Sequence, residues 1–477
     1  MSTMATVVLT AGLVVGATGG RLAQGDVQQV FDGVSTDSRT IGPGALFIAL
    51  RGARFDGHQF IAAALERGAA GVLAETEPDR WSGPPNAKRP APAAIVVSDA
   101  LDALQRLARE VRRQSGARVV AITGSAGKTT TKEITADLLS ARYSVFRNKG
   151  NLNNHIGLPL SLIELRHGPE IAVVELGMNH FGEIRALVAI AEPEVRVWTN
   201  VGDAHVGHFG SREAIARAKA EILESAAPGT VLIANADDPR VMAHASRFGG
   251  RLVTFGERPG STIRVSHILD HGVDGTAADV DTPAGRIRIS VPLAGRAHLS
   301  NVLAGIAVAL EFGIDAAAIE TGVAQLRPVM RRGGITALPN GTRVVDDSYN
   351  ASPAAVQAML SALASTRTSG RRIAVLGEML ELGEAAPALH ADCGRAAARA
   401  GIDELIVIGG AAADGLAQGA RAAGLAETHI HRFADSASAA EPVAGLVHPG
   451  DLVLVKGSRG TRTDIVADRL LRTAEVA

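Results

Sequence analysis

The chain has 477 residues, more than one hydrophobic core usually serves, so several domains are expected. Its formal net charge of −1 argues against a general nucleic-acid-binding surface, and 46% hydrophobic with 20% charged residues is typical of a soluble globular protein. Its one cysteine, Cys393, cannot form an internal disulfide, which favours a cytoplasmic location. No coiled-coil pattern or long exposed apolar stripe is apparent, so we expect a monomer.

The N-terminal segment MSTMATVVLTAGLVVGATGGRLAQGD is apolar but has no basic region at its start. Glycines and threonines interrupt it well short of a membrane span, so we expect a first strand and loop and no membrane insertion. The strand-like GALFIALRG and the helix-like FIAAALERGAAG then predict a small α/β domain. The proline-rich stretch ETEPDRWSGPPNAKRPAPA is expected to be a loop or linker.

Further along, short apolar runs alternate with amphipathic helical stretches. The strand-like runs are RVVAITG, IAVVELG, VRVWTNVG, TVLIANADD and RLVTFG. This alternation predicts a parallel sheet with helices on both faces, followed by a β-rich stretch at about 261–293 and a helix beginning near AHLSN. The same alternation resumes in TRVVDDSY, RRIAVLG, ELIVIGG and DLVLVKGS. We therefore predict an α/β protein of three domains: a small one at 1–93, a central one at 94–327, and a Rossmann-like one at 328–477.

The stretch AITGSAGKTTTKE, residues 121–133, predicts a phosphate-binding loop between a strand and a helix. The strict Walker pattern fails because Ile122 stands where the first glycine is expected. The physical requirements are still met, since glycines let backbone N–H groups converge on phosphate oxygens at a helix N-terminus. Lys128 can reach the terminal phosphates and Thr129 can ligate Mg²⁺. The loop consists of Gly124, Ser125, Ala126, Gly127, Lys128 and Thr129.

The loop alone does not distinguish a motor, a kinase and a ligase. The amide-rich NKGNLNNHIGLPL (148–160) could orient a carboxylate or phosphate, although asparagines also favour plain turns. Glu175 ends an apolar strand, which makes it a plausible Mg²⁺ ligand in the ligand crevice. His205 and His208 are expected in a loop after the strand VRVW, and His205 is a candidate metal ligand. Lys219 follows on a helix, where side-chain physics alone predicts a surface position.

Taken together, TGSAGKTTTKE, GNLNN, ELGMNHFGEI, TNVGDAHVGHFG and AKAEI resemble, in order and spacing, the motifs of the Mur ligase family. Its members are ATP-dependent amide-forming enzymes of peptidoglycan precursor synthesis. STDSR (35–39) and LFIALRGARFDGHQF (46–60) resemble the UDP-binding domain of the two later-acting members. The family has four ligases that act one after another. The motifs of the ligase that acts last are similar to VVDDSYNASP (344–353), VLGEMLELG (375–383) and LVKGSRG (454–460), so the resemblance covers all three domains.

The resemblance implies an activity and a set of site residues. The reaction would join D-alanyl-D-alanine to UDP-N-acetylmuramoyl-tripeptide through an acyl phosphate, with ATP, Mg²⁺, ADP and phosphate as the other participants. The loop with Thr130 would hold the ATP phosphates, and Glu175, His205 and Lys219 would ligate a second Mg²⁺, Lys219 as a carbamate formed with CO₂. The implied catalytic residues are Lys128, Glu175, His205 and Lys219. For ATP, the resemblance implies that Asn301 contacts adenine, Arg332 the phosphates and Asp347 the ribose. For the substrates, it implies that Ser35 and Thr36 lie at UDP and that further contacts come from Asn153, Asn154, Tyr349 and Asn350. The doublet Arg331–Arg332 leaves open which arginine is used, and the loops GEMLELG and KGSR would form the dipeptide site.

Several alternatives remain open. The nearest family alternative adds a diamino acid to UDP-muramoyl-dipeptide; it shares the STDSR domain but usually carries a D-N-P-R-type motif that we do not find here. Folate polyglutamate ligases share the ATP core without needing the STDSR domain. A nucleotide-switched binding protein or an ATPase motor is the alternative from another class, but a motor usually ends the relevant strand in aspartate, where this chain has Glu175. The third residue of the tripeptide, the base for the incoming amine and the carbamylation state of Lys219 are undetermined.

Overall fold

The N-terminal part of the chain forms one mixed sheet. A computed structural model describes residues 6–52, 55–77, 91–204 and 206–472. The elements up to residue 115 are α1 (Ala11–Thr18), β1 (Arg21–Gln24), β2 (Val34–Ser35), β3 (Leu46–Ile48), α2 (Ile61–Glu66), β4 (Gly71–Ala74), β5 (Ala93–Val96) and α3 (Ala100–Ser115). The sheet has the order β1-β5-β4-β3-β2; β1 is antiparallel to β5, and the other pairs are parallel. Residues 78–90 of the predicted proline-rich linker lie outside the described residues.

The predicted first strand and loop begin instead with a helix, α1. The side-chain oxygen of Thr10 accepts a hydrogen bond from the backbone N–H of Leu13, which caps the N-terminus of the helix. Gly19, with φ of 71°, closes the other end in the left-handed conformation. The prediction was wrong for residues 11–18 because these two caps favour a helix over the β structure that the apolar run suggested. Among the described helices, none combines the length and apolarity needed to cross a membrane.

The middle of the chain confirms the predicted alternation. Its elements are β6 (Arg118–Thr123), α4 (Lys128–Leu139), β7 (Val145–Arg147), α5 (Gly157–Ile163), β8 (Ile171–Glu175), α6 (Glu183–Ala191), β9 (Val195–Trp198), α7 (Val206–Phe209), α8 (Arg212–Ala220), β10 (Val231–Asn235), α9 (Pro239–Ala245), β11 (Arg251–Gly256), β12 (Ile263–Asp270), β13 (Thr276–Thr282), β14 (Gly285–Val291), α10 (His298–Glu311) and α11 (Ala316–Ala324). Each predicted strand-like run forms a strand. The β-rich stretch forms antiparallel β12, β13 and β14, and β14 alternates buried Ile287, Ile289 and Val291 with exposed neighbours.

The last third of the chain forms a six-stranded sheet with helices on both faces, as predicted. Its elements are β15 (Gly334–Ala337), β16 (Arg343–Asp347), α12 (Pro353–Ser365), β17 (Arg372–Gly377), α13 (Ala386–Arg399), β18 (Glu404–Ile408), α14 (Asp414–Ala422), β19 (Ile430–Phe433), α15 (Ser436–Leu446), β20 (Leu452–Lys456) and α16 (Asp464–Arg472). The order is β15-β16-β20-β17-β18-β19, with β15 antiparallel to β16 and the other described pairs parallel. Apolar residues cover both faces in two separate core clusters.

The chain divides into two compact units. The first contains residues up to Ala121, Tyr143–Val195 and Glu224–Ala227, and the second contains Ile122–Arg142, Arg196–Leu223 and the residues from Pro228 onward. Within the first unit, β7 pairs in parallel with β8. Within the second unit, β10, β11 and β12 are parallel neighbours that continue into β13 and β14. The three predicted domains are a division drawn from the sequence, and their limits after residues 93 and 327 stay a prediction.

Candidate active site

Two close approaches shape the phosphate loop between β6 and α4. A Cβ atom on Gly124 would lie 1.9 Å from Thr199 Oγ1, and one on Gly127 would lie 2.3 Å from Asn301 Oδ1. Gly127 also has φ of 79° at the start of α4, a conformation that side chains disfavour. Lys128 Nζ donates a hydrogen bond to the carbonyl oxygen of Gly124 at 2.8 Å, which holds the ammonium group at the loop. The packing of the loop against Thr199 and Asn301 therefore requires glycine at both positions.

Asparagine and threonine after β9 hold the loop in place. Asn200 Oδ1 accepts from the backbone N–H of Ala126 at 2.9 Å, and its Nδ2 donates to the carbonyl of the same residue at 3.1 Å. Thr199 Oγ1 donates to that carbonyl at 2.9 Å, and the Ser125 N–H donates to the Asn200 carbonyl at 3.0 Å. Neither residue was predicted as a site residue. The sequence signal for them is an amide directly after a buried strand, in the motif TNVGDAHVGHFG.

Helix α10 brings Asn301 to the first turn of α4. Asn301 Oδ1 accepts a hydrogen bond from Thr131 Oγ1 at 3.1 Å, and the side chain is only 9% exposed. Thr130, in the same turn, is also buried. The structure thus places Asn301 and Thr130 at the phosphate loop, and their predicted contacts with the nucleotide remain predictions.

The arginine doublet separates in the structure. Arg332 Nη2 donates to Thr129 Oγ1 at 3.1 Å, and its guanidinium carbon lies 4.2 Å from the centre of the Tyr349 ring. Arg331 has φ of 60° and pairs instead with Asp468 on α16, with 3.0 Å between Nη2 and Oδ2. Of the two arginines, Arg332 is the one that reaches the phosphate loop.

A buried ion pair lies where β16 and β20 end. Asp347 and Lys456 are register partners, and Lys456 Nζ lies 2.5 Å from Asp347 Oδ2. The same ammonium donates to the carbonyl oxygen of Asn350 at 3.0 Å. Lys456, in the motif LVKGSRG, was not predicted as a site residue. Its contacts hold two residues that were, Asp347 and Asn350.

Lys219 is buried on α8, against the expectation from side-chain physics. The residue is 1% exposed and lies in the last turn of α8. Burial, together with the positive charge of Lys128, lowers the pKa of Lys219 well below its ordinary value. Both effects favour the neutral, nucleophilic form of this amine over the ammonium. His205 lies outside the described residues, and His208 lies in the short helix α7, so its predicted loop position was wrong.

In the first unit, the amide-rich loop organises Glu175 at the end of β8. Glu175 is 2% exposed, and Asn153 Nδ2 donates to its Oε1 at 2.7 Å. Asn148 Oδ1 accepts from the Glu175 backbone N–H at 3.2 Å. Asn154 Oδ1 accepts from the backbone N–H of Gly157 at 2.8 Å and so supports the start of α5. Within the described part of the chain, no three His, Cys, Asp or Glu side chains are grouped to hold a metal ion.

The predicted UDP residues lie at the end of β2. Ser35 and Thr36 are half-buried, and Ser35 Oγ accepts from the backbone N–H of Asp37 at 3.1 Å. Arg39 Nη2 donates to Asp37 Oδ2 at 2.7 Å, and its hydrogen bonds lower the pKa of Asp37 to about 2. This turn therefore carries a fixed carboxylate–guanidinium pair beside Ser35.

The two loops predicted at the dipeptide site are joined by hydrogen bonds. Ser458 Oγ accepts from the Leu380 N–H at 2.9 Å, and the Ser458 N–H donates to the Glu378 carbonyl at 3.3 Å. Buried His390 accepts from the Met379 N–H through Nε2 at 2.8 Å. The loop at 377–383 is therefore held on the six-stranded sheet.

Comparison with protein families finds matches along the chain. The model described as "Mur ligase family, catalytic domain" matches residues 30–112. "Mur ligase middle domain" matches residues 122–309, and "Mur ligase, glutamate ligase domain" matches residues 331–459.

Relatives and solved structures match nearly the whole length of the chain. The chain is 33% identical over 448 residues, covering 94% of both chains, to UDP-N-acetylmuramoyl-tripeptide–D-alanyl-D-alanine ligase of Bacillus subtilis. The structure of the present chain is similar to that of MurF from Acinetobacter baumannii, with a TM-score of 0.86, 31% identity, and coverage of 98% of this chain and 99% of that one. MurF of Thermotoga maritima in complex with ADP is also similar, with a TM-score of 0.79, 31% identity, and coverage of 93% and 98%.

Proposed function

Because the chain belongs to the Mur ligase family, we propose that it joins D-alanyl-D-alanine to UDP-N-acetylmuramoyl-tripeptide at the expense of ATP. The product is the pentapeptide precursor of peptidoglycan, formed with ADP and phosphate. The observation that carries this proposal is the match in sequence over nearly the whole length of relatives named for this reaction. The phosphate loop supports the proposal, because the hydrogen bond from Lys128 Nζ to the Gly124 carbonyl oxygen holds the ammonium group at this loop.

The proposed chemistry has two steps. An oxygen of the tripeptide carboxylate attacks the γ-phosphorus of ATP, and ADP leaves, which forms an acyl phosphate. The dipeptide amine then attacks the acyl carbon, loses a proton and expels phosphate. Lys128, Arg332 and the backbone N–H groups of the loop offset the negative charge of the transferring phosphoryl group. Tyr349 keeps the Arg332 guanidinium oriented toward Thr129.

We propose that Mg²⁺ is held by Thr129, Glu175, His205 and Lys219. Two members of this set carry oxygen donors of the kind that a hard cation prefers, namely the Thr129 hydroxyl and the buried Glu175 carboxylate, which Asn153 orients. When bound, Mg²⁺ supplies charge neutralisation at the phosphate oxygens.

The proposed modification of Lys219 needs an uncharged amine, and the burial of this side chain favours that form. The nitrogen lone pair attacks the carbon of CO₂, a C–N bond forms, and the nitrogen releases a proton. The carbamate that results carries a negative charge and two oxygen donors at a position where a free ammonium would repel a metal ion.

The remaining site residues complete the substrate contacts in this proposal. Asn301 contacts adenine and Asp347 the ribose, Ser35 and Thr36 lie by the UDP group, and Asn153, Asn154, Tyr349 and Asn350 contact the substrates. We also propose a monomeric, cytoplasmic enzyme; the single cysteine, Cys393, cannot form an internal disulfide, which supports the cytoplasmic part of this proposal.

The test is phosphate release from ATP in the presence of Mg²⁺, UDP-muramoyl-tripeptide and D-alanyl-D-alanine, with each component omitted in turn. We expect release only with the complete set, and a product heavier than the tripeptide by the dipeptide less water. Release with UDP-muramoyl-dipeptide and a diamino acid would instead assign the preceding step. Release that needs no amine acceptor would contradict a ligase.

A further inference from the structure

The short helix α7 lies against a turn of the six-stranded-sheet region, within the same unit. The backbone N–H of Gly207 donates to the carbonyl oxygen of Glu381 at 3.1 Å. The side chain of Val206 packs on the apolar cluster that contains Met379 and Leu382. The helix that directly follows His205 therefore rests on the loop at 377–383.

This contact has room only for glycine. A Cβ atom on Gly207 would lie 2.8 Å from the Glu381 carbonyl oxygen and 2.9 Å from the Gly383 backbone nitrogen. Gly207 itself has a helical backbone, and a helix favours alanine over glycine. The local conformation thus gives no reason for glycine, whereas the close approach of the two backbones does.

The turn that receives α7 is held in an unusual backbone conformation. Glu381 has φ of 66° and Gly383 has φ of 57°, both in the left-handed region. Its preceding residues are fixed by the hydrogen bonds from Met379 to His390 and from Leu380 to Ser458. The carbonyl of Glu381 is therefore presented to Gly207 by a restrained turn.

We propose that Gly207 is a positioning residue that sets α7, the helix that follows His205 in the sequence, in register with the loop at 377–383. The proposal rests on the function proposed above, which assigns His205 to the metal, and on the prediction from the sequence that the loop at 377–383 forms part of the dipeptide site. The contact makes the position of one loop depend on the other, so that the incoming amine and the activated carboxylate are brought together in one geometry.

The test compares Gly207→Ala with Gly445→Ala. Gly445 lies in α15, and a Cβ there would meet nothing within 4 Å, so it is a matched glycine on a helix in open space. We expect Gly207→Ala to raise the KM for D-alanyl-D-alanine and to lower kcat, each by about tenfold, because misplacement of this order is costly to catalysis. The KM for UDP-muramoyl-tripeptide should stay within about twofold, and Gly445→Ala should match the wild type.

Hydrogen–deuterium exchange provides a readout that does not depend on the reaction. In Gly207→Ala, peptides covering 206–210 and 378–385 should exchange faster, while in Gly445→Ala both peptides should exchange as in the wild type. Unchanged exchange and kinetics in Gly207→Ala would overturn the proposal, as would an equal rise of all three substrate KM values. A wild-type enzyme that ignores the dipeptide would refute the proposed function, while the exchange result would still decide whether the contact exists.

Discussion

At the scale of single residues, Lys219 combines full burial with the nearby positive charge of Lys128. We predict that Lys219→Met lowers ligase activity by about a hundredfold or more, because the carbamate oxygens are lost from the metal site. In CO₂-free buffer, the free energy of unfolding of Lys219→Met should equal that of the wild type or exceed it by up to about 2 kcal/mol. The reason is that an apolar side chain of similar size replaces a buried polar group. Steady-state kinetics and chemical denaturation measure the two effects.

The pH dependence of this difference tests the buried amine directly. The pKa of Lys219 is lower in the folded chain than its ordinary value of 10.5, so between those two values the unfolded chain binds one more proton. The stability of the wild type, relative to Lys219→Met, should therefore rise with pH as the pH approaches 10.5 from below. Lys149→Met, at an exposed position, is the control for the same substitution on the surface. A difference that does not vary with pH would contradict a neutral buried amine.

At the scale of structural elements, the link between β6 and α4 depends on the end of β9. We predict that Asn200→Ala raises the KM for ATP about tenfold and lowers the free energy of unfolding by about 2 kcal/mol, because two hydrogen bonds to Ala126 are lost. Asn200→Asp should also weaken ATP binding, since its carboxylate faces the Ala126 carbonyl without a donor. ATP titration and denaturant unfolding provide the measurements. A normal KM for ATP in Asn200→Ala would show that the loop holds its shape without this support.

At the scale of the whole molecule, residues beyond 328 reach the phosphate loop through Arg332. A nucleotide that binds only the folded protein stabilises it, by about 2.7 kcal/mol at a hundred times its Kd. We predict that a non-hydrolysable ATP analogue raises the Tm of the wild type and of Arg331→Ala, but much less that of Arg332→Ala. Arg331→Ala is the matched control, because that side chain pairs with Asp468. An equal rise in Tm for Arg331→Ala and Arg332→Ala would show that Arg332 does not contribute to nucleotide binding.

The sequence by itself determined the order of the elements and the kind of site. The local patterns are the strand-like runs, the glycine-rich loop and the carboxylate at the end of β8. Each is determined by residues close together in the sequence. The exception was α1, where the caps Thr10 and Gly19 were present in the sequence but the apolar run dominated our interpretation. Local chemistry therefore sufficed for the alternation of strands and helices and for the identity of the phosphate loop.

Only the tertiary structure decided which side chains support that loop. Arg331 and Arg332 are neighbours with the same chemistry, and the contact that separates them joins Arg332 to Thr129 across 203 positions. Asn301 and Thr131 meet across 170 positions, and the burial of Lys219 depends on which face of α8 is covered. Periodicity and composition carry no information on such pairings, because burial and long-range hydrogen bonds are set by how the elements pack.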